Sequence, residues 1–147
     1  MINNWFECKV RYEKTMENGQ QKKTTETYIV SALSFTEAEA RIVEEIKPFI
    51  SGDFSVTNIR RANYKDVFFS MNANADKWFA CQLEFVSIDE RTAKEKKTKF
   101  NVLIQSENLN DTVRMLAIVM KGSISDYNAL SIKETPIIDV FKTGSDE

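Results

Sequence analysis

The sequence predicts an α+β fold made of internally duplicated β-β-α-β units in a pseudo-twofold arrangement, with two helices packed on antiparallel sheets. Three observations carry that expectation. The chain matches itself when shifted: Trp5, Phe6 and Cys8 recur 73 positions later as Trp78, Phe79 and Cys81. Asp66-Val67-Phe68 returns at the same offset as Asp139-Val140-Phe141, while Lys22-Lys23-Thr24 returns as Lys96-Lys97-Thr98 at an offset of 74. The offset changes only in the first hairpin and near Gly52, where turns tolerate insertions. Second, each copy carries a period-two hydrophobic pattern followed by a helical one. Third, 147 residues with 42% hydrophobic and 29% charged residues can build one sizeable core, which excludes disordered and low-complexity classes.

The first strand is written by Phe6, Cys8, Val10 and Tyr12 alternating with Glu7, Lys9, Arg11 and Glu13, one face apolar and one polar. Its copy reads Phe79, Cys81, Leu83 and Phe85. Asn18-Gly19 supplies the positive φ of a tight hairpin, whereas the matching Asp89 to Ala93 loop lacks glycine and is expected to be more open. Second strands follow over about 23–31 and 97–105. Ser34 and Glu37 form a capping box ahead of Phe35, Ala38, Ile42, Val43 and Ile46. Asn108 and Asp111 repeat it ahead of Leu109, Val113, Leu116, Ala117 and Met120, and each of these apolar sets is expected to face a core. Pro48 and Gly122 stop the helices. Strands then run over about Phe54–Ala62 and Tyr127–Glu134, the first with a parity change that calls for a bulge near Asn58. Short apolar pieces at Val67-Phe68-Phe69 and Ile137 to Phe141 are expected to close each unit.

This divides the chain into repeats over 1–73 and 74–147 that share one core, with a polar tail from about 143; independent beads on a string are the other architecture.

Function classes narrow by subtraction. The chain has 20 Lys and Arg against 22 Asp and Glu, so no overall cationic field drives polyanion binding. It contains no histidine, which excludes Ser-His-Asp and Cys-His catalysis and histidine-ligated zinc. Its glycines are isolated, so no phosphate-cradling loop exists. Cys8 and Cys81 fall on inward parity as reduced core residues, and two thiols cannot make a four-ligand zinc site. Glu37, Glu39, Glu44 and Glu45 lie on the solvated side of a helix, and Asp66 and Asp139 suit turn amides. No catalytic residue, metal or cofactor is expected. No apolar run suits a membrane span or signal peptide, so the expected setting is the cytoplasm.

What remains is binding. Trp5 and Trp78 are candidate interaction aromatics, with core anchoring as the plainer role. Arg60, Arg61, Tyr64 and Lys65 form a local patch for nucleic acid that the second repeat does not duplicate. A non-enzymatic binding or assembly module, acting through a protein partner or self-association, is the leading expectation; a nucleic-acid-binding protein is the alternative.

The stretches WFECKVRYEKTMENG, ALSFTEAEARI and ETPIIDVF resemble a family of short bacterial proteins carried as a domain of unknown function. The resemblance covers Trp5 to Phe141 and implies a bacterial cytoplasmic setting associated with phage or mobile elements. It implies no activity, cofactor or site residue.

Overall fold

The computed structural model describes residues 4–122 and 126–142. Their elements in chain order are β1 (Trp5–Thr15), β2 (Gln21–Ser31), α1 (Phe35–Ile46), β3 (Phe54–Ala62), β4 (Asp66–Phe68), β5 (Lys77–Ile88), β6 (Glu95–Ser106), α2 (Leu109–Val119), β7 (Asp126–Glu134) and β8 (Ile137–Phe141). They form an α+β protein of two four-stranded sheets, ordered β3-β1-β2-β8 and β4-β6-β5-β7. The chain divides into two compact units, one of residues 1–63 with 136–147 and the other of residues 64–135. The expected polar tail from about 143 lies outside the described residues.

In the first unit the predicted alternation puts Phe6, Cys8 and Val10 of β1 and Tyr28, Val30 and Ala32 around β2 into one core with Ala38, Ile42 and Ile46 of α1. Fully burying such aliphatic side chains contributes about 1.5–3 kcal/mol each, which holds the helix on the sheet. Ile29 lies on the opposite parity of β2 and is also fully buried. β1 pairs antiparallel with β2 and with β3. Lys9 faces Asn58 and Val10 faces Val56, so Thr57 is the extra residue of a bulge. That extra residue reverses the parity and lets both Val56 and Ile59 pack on the core.

The second unit repeats these devices with different side chains. Cys81, Leu83, Val102, Ile104 and Leu116 make its core. β5 pairs antiparallel with β6 and β7, and Leu130 is the bulged residue, at the position matching Thr57. Where Ala32 meets Ala38 in the first unit, Ser106 and Thr112 carry hydroxyls that hydrogen-bond to one another. Thr112 is fully buried, and its Oγ1 also donates to the Asn108 carbonyl at 2.9 Å, so a polar pair sits in the helix-sheet contact without an unmet donor.

Both helix starts follow the predicted caps. The Glu37 N–H donates to Ser34 Oγ at 3.1 Å and the Asp111 N–H to Asn108 Oδ1 at 2.8 Å. Each N3 carboxylate then accepts from the residue before the cap: Leu33 N–H to Glu37 Oε2 at 3.3 Å, Glu107 N–H to Asp111 Oδ2 at 2.9 Å. α1 ends at the Lys47 cap before Pro48, and α2 at the Met120 cap before Gly122, whose φ is +93°.

Three expectations need correction. The closing strands do not close their own repeats. β4 pairs in parallel with β6 of the second unit, Asp66 opposite Val102, and β8 pairs in parallel with β2 of the first unit, Asp139 opposite Tyr28. Both sheets are therefore mixed, not antiparallel. In each sheet the short strand lies on the outer edge of the hairpin's second strand and runs the same way, antiparallel to the hairpin's first strand. The helix faces also follow the predicted sets only in part: Leu116 and Met120 of α2 pack on the core beside buried Asp111 and Thr112, while Leu109, Val113 and Ala117 are exposed, as is Phe35, the α1 counterpart of Leu109. Lastly, the glycine-free hairpin is closed. The Ala93 N–H bonds the Asp89 carbonyl at 2.7 Å and the Asp89 N–H bonds the Lys94 carbonyl at 2.9 Å, with Ala93 taking φ +59°.

An alanine in that left-handed region is strained by about 1–2 kcal/mol, part of which glycine returns as chain entropy. Ala93→Gly is therefore expected to raise unfolding stability by about 0.5–1 kcal/mol in urea titration, whereas a loss of stability would contradict this turn geometry. Ending the chain after Thr135 removes β8. Hydrogen exchange should then show lost protection in β1, β2 and α1 with protection retained in β5 and β6, and equal loss in both units would contradict the division.

Candidate functional site

The candidate residues fall into two units. Arg60 and Arg61 end β3 in the first, while Tyr64 and Lys65 lead into β4 in the second. Arg60 stands opposite Glu7 in the β1–β3 register and makes a two-pronged pair with it, Nε to Oε1 at 3.3 Å and Nη2 to Oε2 at 3.0 Å. Arg61 points to the other face, its Cζ 5.2 Å from the Phe6 ring centroid and 5.4 Å from that of Phe35. Those two rings meet edge to face at 5.0 Å, so the guanidinium caps an aromatic pair at the helix N-terminus. The first unit thus uses one arginine for a carboxylate and one for a π surface.

In the second unit the positions of Glu7 and Arg60 are held by Ala80 and Lys133, which also stand opposite each other. No ion pair is available there, consistent with a patch that sequence comparison shows to be single. Lys65 instead places its Nζ 4.8 Å and 4.7 Å from the ring centroids of Phe85 and Phe100, which are stacked 4.3 Å apart. Its backbone N–H donates to the Asn101 carbonyl at 2.7 Å, extending the parallel pairing of β4 by one bond. Tyr64 is half-buried.

Trp5 and Trp78 are buried, 3% and 1% exposed, and so present no ring face for stacking a base. Trp78 packs edge to face on Phe69 at 5.4 Å, and its carbonyl accepts from both the N–H and the hydroxyl of Thr135. The Trp5 Nε1 is buried without a hydrogen-bond partner among the described residues.

Cys8 and Cys81 are fully buried free thiols within the two cores. Burial pushes the Cys8 thiol up to about 12, with the nearby Glu7 charge adding to it, and burial alone pushes Cys81 up to about 11. Asp66 and Asp139 do bind backbone amides: each Oδ1 accepts from the next residue's N–H, at 3.0 Å and 2.8 Å. Asp111 is held below the usual carboxylate range by the Glu107 amide first and by Arg114 next. Among the described residues no group of three or more Cys, Asp or Glu is placed to hold a metal ion, and no helix is long and apolar enough to cross a membrane.

Sequence reasoning missed the outer face of α2. Val113 and Ile118 occupy the positions of Glu39 and Glu44 in α1 and are 53% and 57% exposed. Leu109 is 51% exposed, one helical turn before Val113, with Ala117 exposed one turn after it. The comparison of Glu39 with Val113 was available in the repeat alignment. Without knowing which side met the sheet, however, an aliphatic residue on a helix reads as core.

The thiols provide a test. Native protein at pH 8 should leave a thiol reagent unconsumed, and unfolded protein should consume two equivalents; reaction of either cysteine in the native state would refute their burial. Below about pH 9, the ordinary thiol value, both states keep the proton. Above it only the unfolded state releases the proton, so stability should fall as pH rises towards 11 and 12.

Comparison with curated proteins finds no match. A family model described as a domain of unknown function, DUF4494, matches residues 4–143. With the match running through both units and every candidate residue above, the chain belongs to the DUF4494 family.

Proposed function

We propose that this protein is a non-enzymatic binding module that docks a protein partner, or a second copy of itself, on the outer face of α2. One observation carries the reading: aliphatic side chains at Val113 and Ile118 stand in water where the matching helix carries Glu39 and Glu44. The same backbone tolerates carboxylates there, so packing within the unit does not require the apolar residues. A row of Leu109, Val113 and Ala117 along one helix face has the i, i+4 spacing by which helices engage a partner's groove. Contiguous exposed apolar surface marks interaction sites, whereas singly exposed residues such as Leu33 and Phe49 are ordinary.

The engagement of Arg60 by Glu7 and of Arg61 by the Phe6 and Phe35 rings weighs against a nucleic-acid patch, because both arginines already have an intramolecular role. We read the two units as products of internal duplication, supported by their matching caps, bulges and aspartate-to-amide contacts. The bacterial cytoplasmic setting, and the association with phage or mobile elements, come from the sequence resemblance.

Leu109→Glu with Val113→Glu should abolish concentration-dependent association in sedimentation velocity, or capture of a copurifying partner. Its unfolding stability should stay within about 0.5 kcal/mol of the parent, as for exposed sites. A strictly monomeric parent that also captures no partner would refute the proposal, as would a double variant that associates unchanged.

A further inference from the structure

We propose that a cleft in the second unit binds a small aromatic carboxylate, with the Lys65 ammonium as its anchor. The cleft holds about 380 Å³, the low end of small-molecule sites, and lies where the start of β4 meets the end of α2. Phe68, Phe85, Phe100 and Val102 give it apolar walls, and Lys65 and Lys121 bring cations to it.

Two features argue for an anion with a flat apolar body. Lys65 holds its ammonium over the stacked Phe85 and Phe100 rings, yet no carboxylate among the described residues forms an ion pair with it. Asp66 also lines the cleft, its Oδ1 accepting from the Val67 N–H at 3.0 Å, and Lys65 and Lys121 together leave the lining with one net positive charge. An ammonium has three donors, and rings satisfy its charge on one side only, so donors remain for an incoming carboxylate. The aromatic walls in turn favour a ring over a flexible chain, because offset and edge-to-face ring contacts add to plain area burial.

The first unit serves as an internal control. Matching residues there are Tyr12 for Phe85, Glu26 for Phe100, Tyr28 for Val102 and Ile138 for Lys65. Tyr28 stacks on Phe141 at 5.8 Å, and its hydroxyl donates to Glu26 Oε1 at 3.0 Å. The volume that the Tyr28 ring fills is thus left open beside the smaller Val102, and a carboxylate position has become a ring wall under an ammonium. Packing alone does not call for that reversal of charge on a shared backbone.

Titration of the full-length, nitrogen-15-labelled chain with 2-naphthoate, followed by amide chemical shifts, tests the proposal against 2-naphthamide, the uncharged counterpart. Naphthoate should give saturable shifts at Lys65, Asp66, Phe100 and Lys121, and naphthamide should bind at least about tenfold more weakly. Lys65→Met should weaken naphthoate about tenfold while Lys65→Arg retains binding. Val102→Tyr, which restores the ring of the first unit, should abolish binding. Because Val102 is a core position, the exposed Lys65→Met carries the test if that variant fails to fold. No saturation at millimolar naphthoate, equal binding of the amide, shifts centred outside the cleft, or an unaffected Lys65→Met would each overturn the proposal.

Discussion

The parallel pairing of two short closing strands is the constraint on which the rest of the molecule depends. β8 supplies the fourth strand of the first sheet and β4 that of the second, and each is separated in sequence from the hairpin it completes. Without β8, the Tyr28, Ile29 and Val30 stretch of β2 would end at an open edge, with buried side chains on both parities. Backbone groups at such an edge need partners, and an open apolar edge invites pairing with other chains. The outer part of each hairpin, beyond the reach of the short strand, carries Lys22-Lys23 or Lys96-Lys97-Lys99 instead. Lysine there blunts the remaining edge.

Matching positions of the two units agree in some side chains and differ in others. Positions that answer to backbone geometry agree in role: Ser34 with Asn108 as caps, Thr57 with Leu130 as bulges, Asp66 with Asp139 as acceptors of the next amide. Several solvent-facing side chains differ. Carboxylates outside α1 become aliphatics outside α2, and the Tyr12, Glu26 and Tyr28 cluster becomes an ammonium over rings.

Local rules were legible in the sequence because they act over a few residues. A serine three before a glutamate writes a cap, a parity change writes a bulge, and a cysteine among alternating apolar residues writes a buried thiol. The destination of β4 was not legible. Asp66-Val67-Phe68 has strand character in either unit, and nothing in a three-residue apolar run names its partner. α2 was misread for a related reason: with Leu109, Val113, Leu116, Ala117, Ile118 and Met120 distributed around it, periodicity alone does not say which side meets the sheet. The closed Asp89 to Ala93 turn escaped because hydrogen bonds from Ala93 and Asp89 outweigh the cost of a left-handed alanine. As for the candidate site, the sequence brings Arg60, Arg61 and Lys65 close together in the chain but does not name their contacts, Glu7, Phe35 and Phe85, which lie on other elements.

The exchange of closing strands also imposes a timetable on synthesis. The second unit is one contiguous stretch, 64–135, and it lies inside the sequence of the first, which needs residues on both sides of it. As the chain leaves the ribosome, β1, β2, α1 and β3 come out first, yet their sheet must wait for about seventy further residues before β8 exists to pair with it. The inner unit can be finished while the outer one is still incomplete. During that interval the lysine-flanked edge of β2 is all that stands between a nascent first unit and the wrong strand, including the identical β8 of a neighbouring chain made moments earlier.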